Sequence, residues 1–101
     1  MSKFVEVAKT SDIGPGEAKI VEVHGTKIAI FHCGGKFYAT QNDCLHMKGS
    51  LGDGKLDGCI ITCPRHGWRY NVMTGENEMM SNVILKTYEL LVERGVIKVK
   101  V

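Results

Sequence analysis

Residues 42–51 read NDCLHMKGSL and residues 54–70 read GKLDGCIITCPRHGWRY. Each stretch holds one cysteine and one histidine at short spacing, Cys44 with His46 and Cys63 with His66. Spacing that short lets one tight loop aim both side chains at the same centre, and thiolate with imidazole is a donor pair that transition metals favour. Between the pairs lie Gly49, Gly52, Gly54 and Gly58 with Asp53 and Asp57, too many turn formers for a helix or a long strand. Residues 42–58 are therefore expected to be loop, held in place by whatever their side chains bind. Residues 60–62, Ile-Ile-Thr, form a short strand that delivers the second pair beside the first. Two cysteines and two histidines converge.

The flanking sequence supplies a scaffold. Residues 3–8 (KFVEVA) alternate apolar and polar side chains, and residues 11–16, with Pro15, break the run. Residues 18–23 and 26–32 alternate on either side of His24-Gly25, a hairpin signature. Cys33-Gly34-Gly35 makes the next turn, and residues 36–40 a fourth strand. Beyond the second pair, residues 68–72 resume as strand up to a turn at Thr74-Gly75. Residues 83–93 and 96–101 alternate around Arg94-Gly95 as a closing hairpin. No segment sustains a helical period, and strands at this spacing predict an all-β, antiparallel sandwich or barrel. One domain over residues 1–101 is expected, with the metal-binding region at about 42–72.

Composition agrees. A chain of 101 residues buries about two thirds of its unfolded surface and cannot build two cores. Hydrophobic residues make up 44% and charged residues 24%, the balance of a soluble globular protein. The 13 basic and 11 acidic residues are interspersed and leave a net charge of +2, which gives no electrostatic case for nucleic acid. No run is long enough for a membrane span, and the opening MSKFVEVAKTSD lacks the apolar stretch of an export signal. A cytoplasmic location is expected, where the four cysteines favour metal or redox chemistry over a disulfide framework. Cys33 and Cys59 have no partner at ligand spacing and read as small core or turn residues. His24 and His32 read as surface or internally satisfied histidines.

The four candidate ligands suit two kinds of site. A tetrahedral zinc would take all four at one ion, although such sites usually pair cysteine with cysteine and histidine with histidine. Loops that mix the types suit a binuclear cluster, with both thiolates on one iron and both imidazoles on the other, as in Rieske [2Fe–2S] centres. The two stretches resemble the C-x-H and C-x-x-H boxes of the Rieske ferredoxin family, and the likeness extends over nearly the whole chain. That resemblance implies a small Rieske-type β fold with the two boxes as loops at one tip. It implies one [2Fe–2S] cluster, with Cys44 and Cys63 on the inner iron and His46 and His66 on the outer iron. Imidazole is neutral where thiolate is negative, so this ligand set makes the cluster easier to reduce.

Departures from the family narrow the subtype. High-potential members join their boxes through an extra cysteine in each, where this chain has Gly49 and Arg65. They also use a serine where this chain has Trp68, while Tyr70 stands where they place a tyrosine hydroxyl near a cysteine sulfur. Hydrogen bonds to sulfur stabilise the reduced cluster, so a low-potential ferredoxin type is expected, with Tyr70 raising the potential slightly or serving only as a core aromatic. Trp68 reads as packing for the second loop, and Gly67 as a position needing a glycine backbone. Residues 76–85 lack the proline that family members commonly carry after the second box and offer Met79 and Met80 instead.

The resemblance implies a one-electron carrier, without catalysis of its own, that is reduced by a reductase and reduces a terminal oxidoreductase. A ring-hydroxylating oxygenase system is the expected setting, and a monomer the expected state. The small subunit of an assimilatory nitrite reductase is an alternative of similar size and fold, and a zinc-stabilised interaction module is another.

Overall fold

The computed structural model describes residues 3–44, 49–65, 67–80 and 82–100. Among the described residues, ten strands run β1 (Phe4–Lys9), β2 (Ala18–Val23), β3 (Thr26–Cys33), β4 (Lys36–Gln41), β5 (Lys55–Asp57), β6 (Ile60–Thr62), β7 (Arg69–Asn71), β8 (Thr87–Tyr88), β9 (Leu90–Glu93) and β10 (Val96–Lys100). They form three antiparallel sheets, ordered β1-β10-β9, β2-β3-β4-β8 and β5-β6-β7. The all-β antiparallel class expected from the strand-turn spacing is the one observed. Among the described residues, no helix is long and apolar enough to cross a membrane.

β3 organises the molecule. Its residues 28–31 are wholly buried, and because successive side chains point to opposite faces the strand feeds two cores. Ile28 and Ile30 pack with Ala8, Val23, Ile97 and Val99 toward the sheet of the two termini. Ala29, Phe31 and Cys33 pack with Cys44, Leu51, Ile61, Cys63, Tyr70 and Val72 toward the small β5-β6-β7 sheet. The four-stranded sheet is therefore the middle layer, and the loops of interest sit on the small sheet on one side of it.

The turns follow local chemistry. His24 and Gly25 close β2–β3 with φ of 50° and 79°, and Arg94 and Gly95 close β9–β10 with 52° and 76°, the two positive dihedrals that match the twist of a tight hairpin.

Three expectations are corrected. Residues 55–57, expected as loop, form strand β5, paired Lys55 with Thr62, Leu56 with Ile61 and Asp57 with Ile60. Residues 83–93, expected as one segment, divide between sheets: β8 pairs with β4, and β9 pairs with β10. Ahead of β8, Ile84 bridges to Glu76, and Leu85 N–H donates to the Gly75 carbonyl. Cys33 and Cys59, expected as separate small residues, are joined in a disulfide with Cα atoms 5.4 Å apart. Cys33 ends β3 on the face that meets the small sheet, and the β5–β6 turn presents Cys59 to it. His32 is internally satisfied, its Nδ1 lying 2.9 Å from the Ile13 carbonyl and its ring stacked on Phe37.

Candidate metal centre

Cys44 follows β4 and its adjoining bend, and Cys63 follows β6, so each stands where a strand hands over to a loop. Both thiols are buried, at 2% and 1% exposure, and both belong to the core cluster that contains Tyr70. The sequence-expected cysteine donors are thus brought together. His46 and His66 lie outside the described residues.

Backbone hydrogen bonds hold each loop closed around its cysteine. Cys44 N–H donates to the Gly49 carbonyl at 2.8 Å, and Leu51 N–H donates to the Asn42 carbonyl at 2.8 Å. On the other loop, Cys63 N–H donates to the Trp68 carbonyl at 2.7 Å, while Gly67 N–H donates back to the Cys63 carbonyl at 3.0 Å. Gly67 closes that turn at φ 73°, a conformation that a β-carbon disfavours. The Trp68 side chain is half-buried against the same core as the cysteines.

Asn42, which sequence reasoning missed, organises the first loop. It is buried; its Oδ1 accepts from Gly52 N–H at 2.8 Å and its Nδ2 donates to Ser50 Oγ at 3.0 Å. A polar amide just before the C-x-H box was the available signal, since buried amides are kept where they satisfy backbone. Asn77 plays the corresponding part beyond the second box. Its Oδ1 accepts from Met79 and Met80 N–H at 2.8 and 3.0 Å, and its N–H donates to the Val83 carbonyl. Glu78 N–H donates to the Arg69 carbonyl, and their side chains pair at 3.3 Å. An asparagine-centred turn thus stands in the segment without proline, and with Gly67, Trp68 and Met79 it lines a shallow groove of about 290 Å³.

Two close approaches surround the cysteine sulfurs. A β-carbon on Gly49 would lie 2.5 Å from Cys63 Sγ and 2.8 Å from Arg65 Cγ, so the first loop's backbone lies directly against the second loop's sulfur. The positions that carry bridging cysteines in high-potential relatives therefore do face each other, but as glycine and arginine. The Tyr70 hydroxyl, wholly buried, lies 3.4 Å from Cys44 Sγ. Once that sulfur is a metal-bound thiolate it only accepts, and the hydroxyl donates. Two buried soft donors on adjoining loops, one with a hydroxyl aimed at its sulfur, match an iron–sulfur group.

The comparisons agree with this geometry. The family model described as Rieske [2Fe-2S] domain matches residues 3–89. The chain belongs to the Rieske family. Among curated relatives, ferredoxin CarAc of Metapseudomonas resinovorans is 37% identical over 94 residues, covering 91% of this chain and 88% of that protein. The ferredoxin component of the naphthalene 1,2-dioxygenase system of Pseudomonas putida is 36% identical over 94 residues, covering 90% and 88%. Among solved structures, the ferredoxin of carbazole 1,9a-dioxygenase from Nocardioides aromaticivorans superposes with a TM-score of 0.89 at 27% identity, covering 96% of each chain. A chain from the complex of oxygenase and ferredoxin in carbazole 1,9a-dioxygenase gives 0.88 at 37% identity, covering 95% and 91%. A nitrite reductase small subunit gives 0.83 at 18% identity, which shows the shared fold alone.

As a Rieske protein of ferredoxin type, the chain carries a [2Fe–2S] cluster and moves single electrons. Zinc as the resident metal is excluded by that membership. The cluster supplies a reversible one-electron couple when bound.

Proposed function

We propose that this Rieske ferredoxin takes an electron from a reductase and delivers it to the terminal oxygenase of a ring-hydroxylating system, working in the cytoplasm as a monomer of one domain. Cys44 and Cys63 would hold the inner iron and His46 and His66 the outer iron. The observation that carries this reading is the convergence of two buried thiols, on separate loops, in one core with the Tyr70 hydroxyl. The likeness of ferredoxin components at 36–37% identity supports the oxygenase setting over the nitrite reductase one. Four protein ligands would leave the cluster no open position, so the chain's own residues would hold and tune the cluster without binding substrate.

Iron and sulfide analysis with an electron paramagnetic resonance spectrum of the dithionite-reduced protein tests the centre. About two irons and two sulfides per chain, with a paramagnetic signal that appears on reduction, are expected. Reconstitution tests the role: reductase and oxygenase together should turn over an aromatic substrate only when this chain is added. Turnover that is the same without it would overturn the carrier reading.

Tyr70→Phe isolates the hydroxyl. A hydrogen bond to a charged acceptor is worth a few kcal/mol, and only the difference between oxidation states reaches the potential, so a fall of about 20–60 mV is expected. Protein-film voltammetry reads it, and an unmoved potential assigns Tyr70 to packing.

A further inference from the structure

Cys33 and Cys59 lie outside the ligand set, yet they sit in the layer that supports it. Cys33 is 4% exposed and shares its core with Cys44, Cys63, Tyr70 and Val72. Cys59 is half-buried against the same core, and its carbonyl accepts the Val72 N–H at 2.9 Å. The disulfide joins the tips of two hairpins from different sheets, the β3–β4 turn of the middle layer and the β5–β6 turn of the small sheet. Their Cα separation of 5.4 Å needs no backbone movement for bonding.

The bond also has a particular place along the chain. The loop it closes, residues 33–59, contains β4, Cys44 and the whole first metal-binding loop. The second loop begins four residues beyond it, at the other end of β6. Opening the bond therefore removes a covalent tether between the β5-β6-β7 sheet, which delivers Cys63, and the middle layer, whose strand β4 leads to Cys44. The two residues differ in burial: Cys59 is half-buried, whereas Cys33 is almost wholly buried. A dithiol reductant would attack Cys59 Sγ and expel the Cys33 thiolate into the core.

We propose that Cys33–Cys59 is a thiol–disulfide switch that sets how firmly the protein holds its cluster. In the closing direction two thiols and one glutathione disulfide give the protein disulfide and two glutathione molecules. Two electrons and two protons leave the cysteines in that exchange. In the opening direction a dithiol delivers two electrons and two protons and becomes a cyclic disulfide. Closed, the bond pins the small sheet; open, the sheet separates locally from the middle layer and the cluster is lost more readily. A switch rather than a permanent staple fits the half-exposed Cys59 and the strong reducing poise of a cytoplasm.

The cluster-loaded protein tests this in glutathione disulfide and then in dithiothreitol. Alkylation under denaturing conditions followed by mass spectrometry counts thiols, the thermal midpoint reports stability, and visible absorbance with an iron chelator follows cluster loss. After glutathione disulfide, two of the four cysteines should react, those of Cys44 and Cys63; after dithiothreitol, all four. Opening the bond should lower the midpoint by roughly 10–20 °C. Chelator should then strip the cluster on the order of tenfold faster, and fresh glutathione disulfide should restore both values. Four reactive thiols in the oxidised sample, resistance to dithiothreitol in the folded protein, or an unchanged midpoint and stripping rate would each overturn the proposal. Cys33→Ala with Cys59→Ala should match the reduced protein in either buffer. If that variant does not fold, the reversible titration of the unaltered chain still decides.

Discussion

Gly49→Ala is expected to remove most of the cluster and to lower the unfolding midpoint by roughly 10–20 °C, an overpacking cost of about 2–3 kcal/mol. The added β-carbon would stand 2.5 Å from Cys63 Sγ, with Arg65 Cγ and Cβ at 2.8 and 3.2 Å. Arg65 is exposed and can swing aside. The sulfur cannot: Cys63 is 1% exposed, and its N–H is held by the Trp68 carbonyl at 2.7 Å. Gly49 is equally fixed, because its carbonyl receives the Cys44 N–H. Relief therefore moves one cysteine relative to the other, and a binuclear cluster does not tolerate that. Iron content should fall at least about tenfold, the lower end of what altered outer-shell contacts cost a metal site. Gly58→Ala is the control. Its φ of 61° makes the substitution unfavourable, yet nothing lies within 4 Å of the added carbon. It should cost about 1–2 kcal/mol and leave iron content unchanged. Full iron content in Gly49→Ala would show that the loops part cheaply.

The glycines also show what a sequence can and cannot disclose. Their crowding in residues 42–58 marks a segment that is neither helix nor long strand, and that much is legible. The reason for several of them is not. Gly49, Gly52 and Gly54 are needed for close approach rather than for a left-handed backbone: a β-carbon would meet Cys63 at the first, Ile20 at the second and the Thr62 carbonyl at the third. Cys63 and Ile20 are distant in sequence from their glycines, and Thr62 faces Gly54 only through the β5–β6 pairing, so only packing reveals them. The same density of turn formers hid β5, whose three residues are too few to show an alternation.

The convergence of Cys44 and Cys63 was legible because donor type and spacing carry chemical meaning in one dimension. The hairpins at His24-Gly25 and Arg94-Gly95 were legible for a related reason, since two-residue turns impose local dihedral demands. Residues 83–93 were not, because apolar alternation does not say which sheet a strand joins. Leu85 packs with the metal-site core, Lys86 is fastened to Gln41 through both its N–H and its carbonyl, and Leu90 joins the terminal sheet. One run of residues thus serves three layers. The Cys33–Cys59 bond belongs to the same class, since it depends on two hairpin tips meeting across a layer boundary. Disulfide connectivity does not follow from cysteine positions in sequence.

His66→Cys is expected to keep a [2Fe–2S] centre and to lower its potential by on the order of 100–200 mV. Exchange of two thiolates for two imidazoles separates Rieske centres, at about −150 to +300 mV, from four-thiolate clusters near −400 mV. The lower edge of the first range leaves a gap of about 250 mV for two ligands, and one substitution should take roughly half or more of it. The cause is charge: an imidazole is neutral and a thiolate carries −1, so the electron enters a more negative centre. The proton behaviour should change with it. A ligating imidazole keeps a second ring nitrogen whose proton is acidified by oxidised iron, so the potential of the unaltered protein should fall at alkaline pH. If His66 holds the outer iron as proposed, its replacement removes one such proton, and the limiting slope should drop from about 120 to about 60 mV per pH unit, one proton fewer per electron. Voltammetry across pH reads both quantities in one experiment. A lowered potential with the slope intact would place the titrating protons elsewhere than on His66, and an unchanged potential in a variant that still binds two irons would remove His66 from the ligand set.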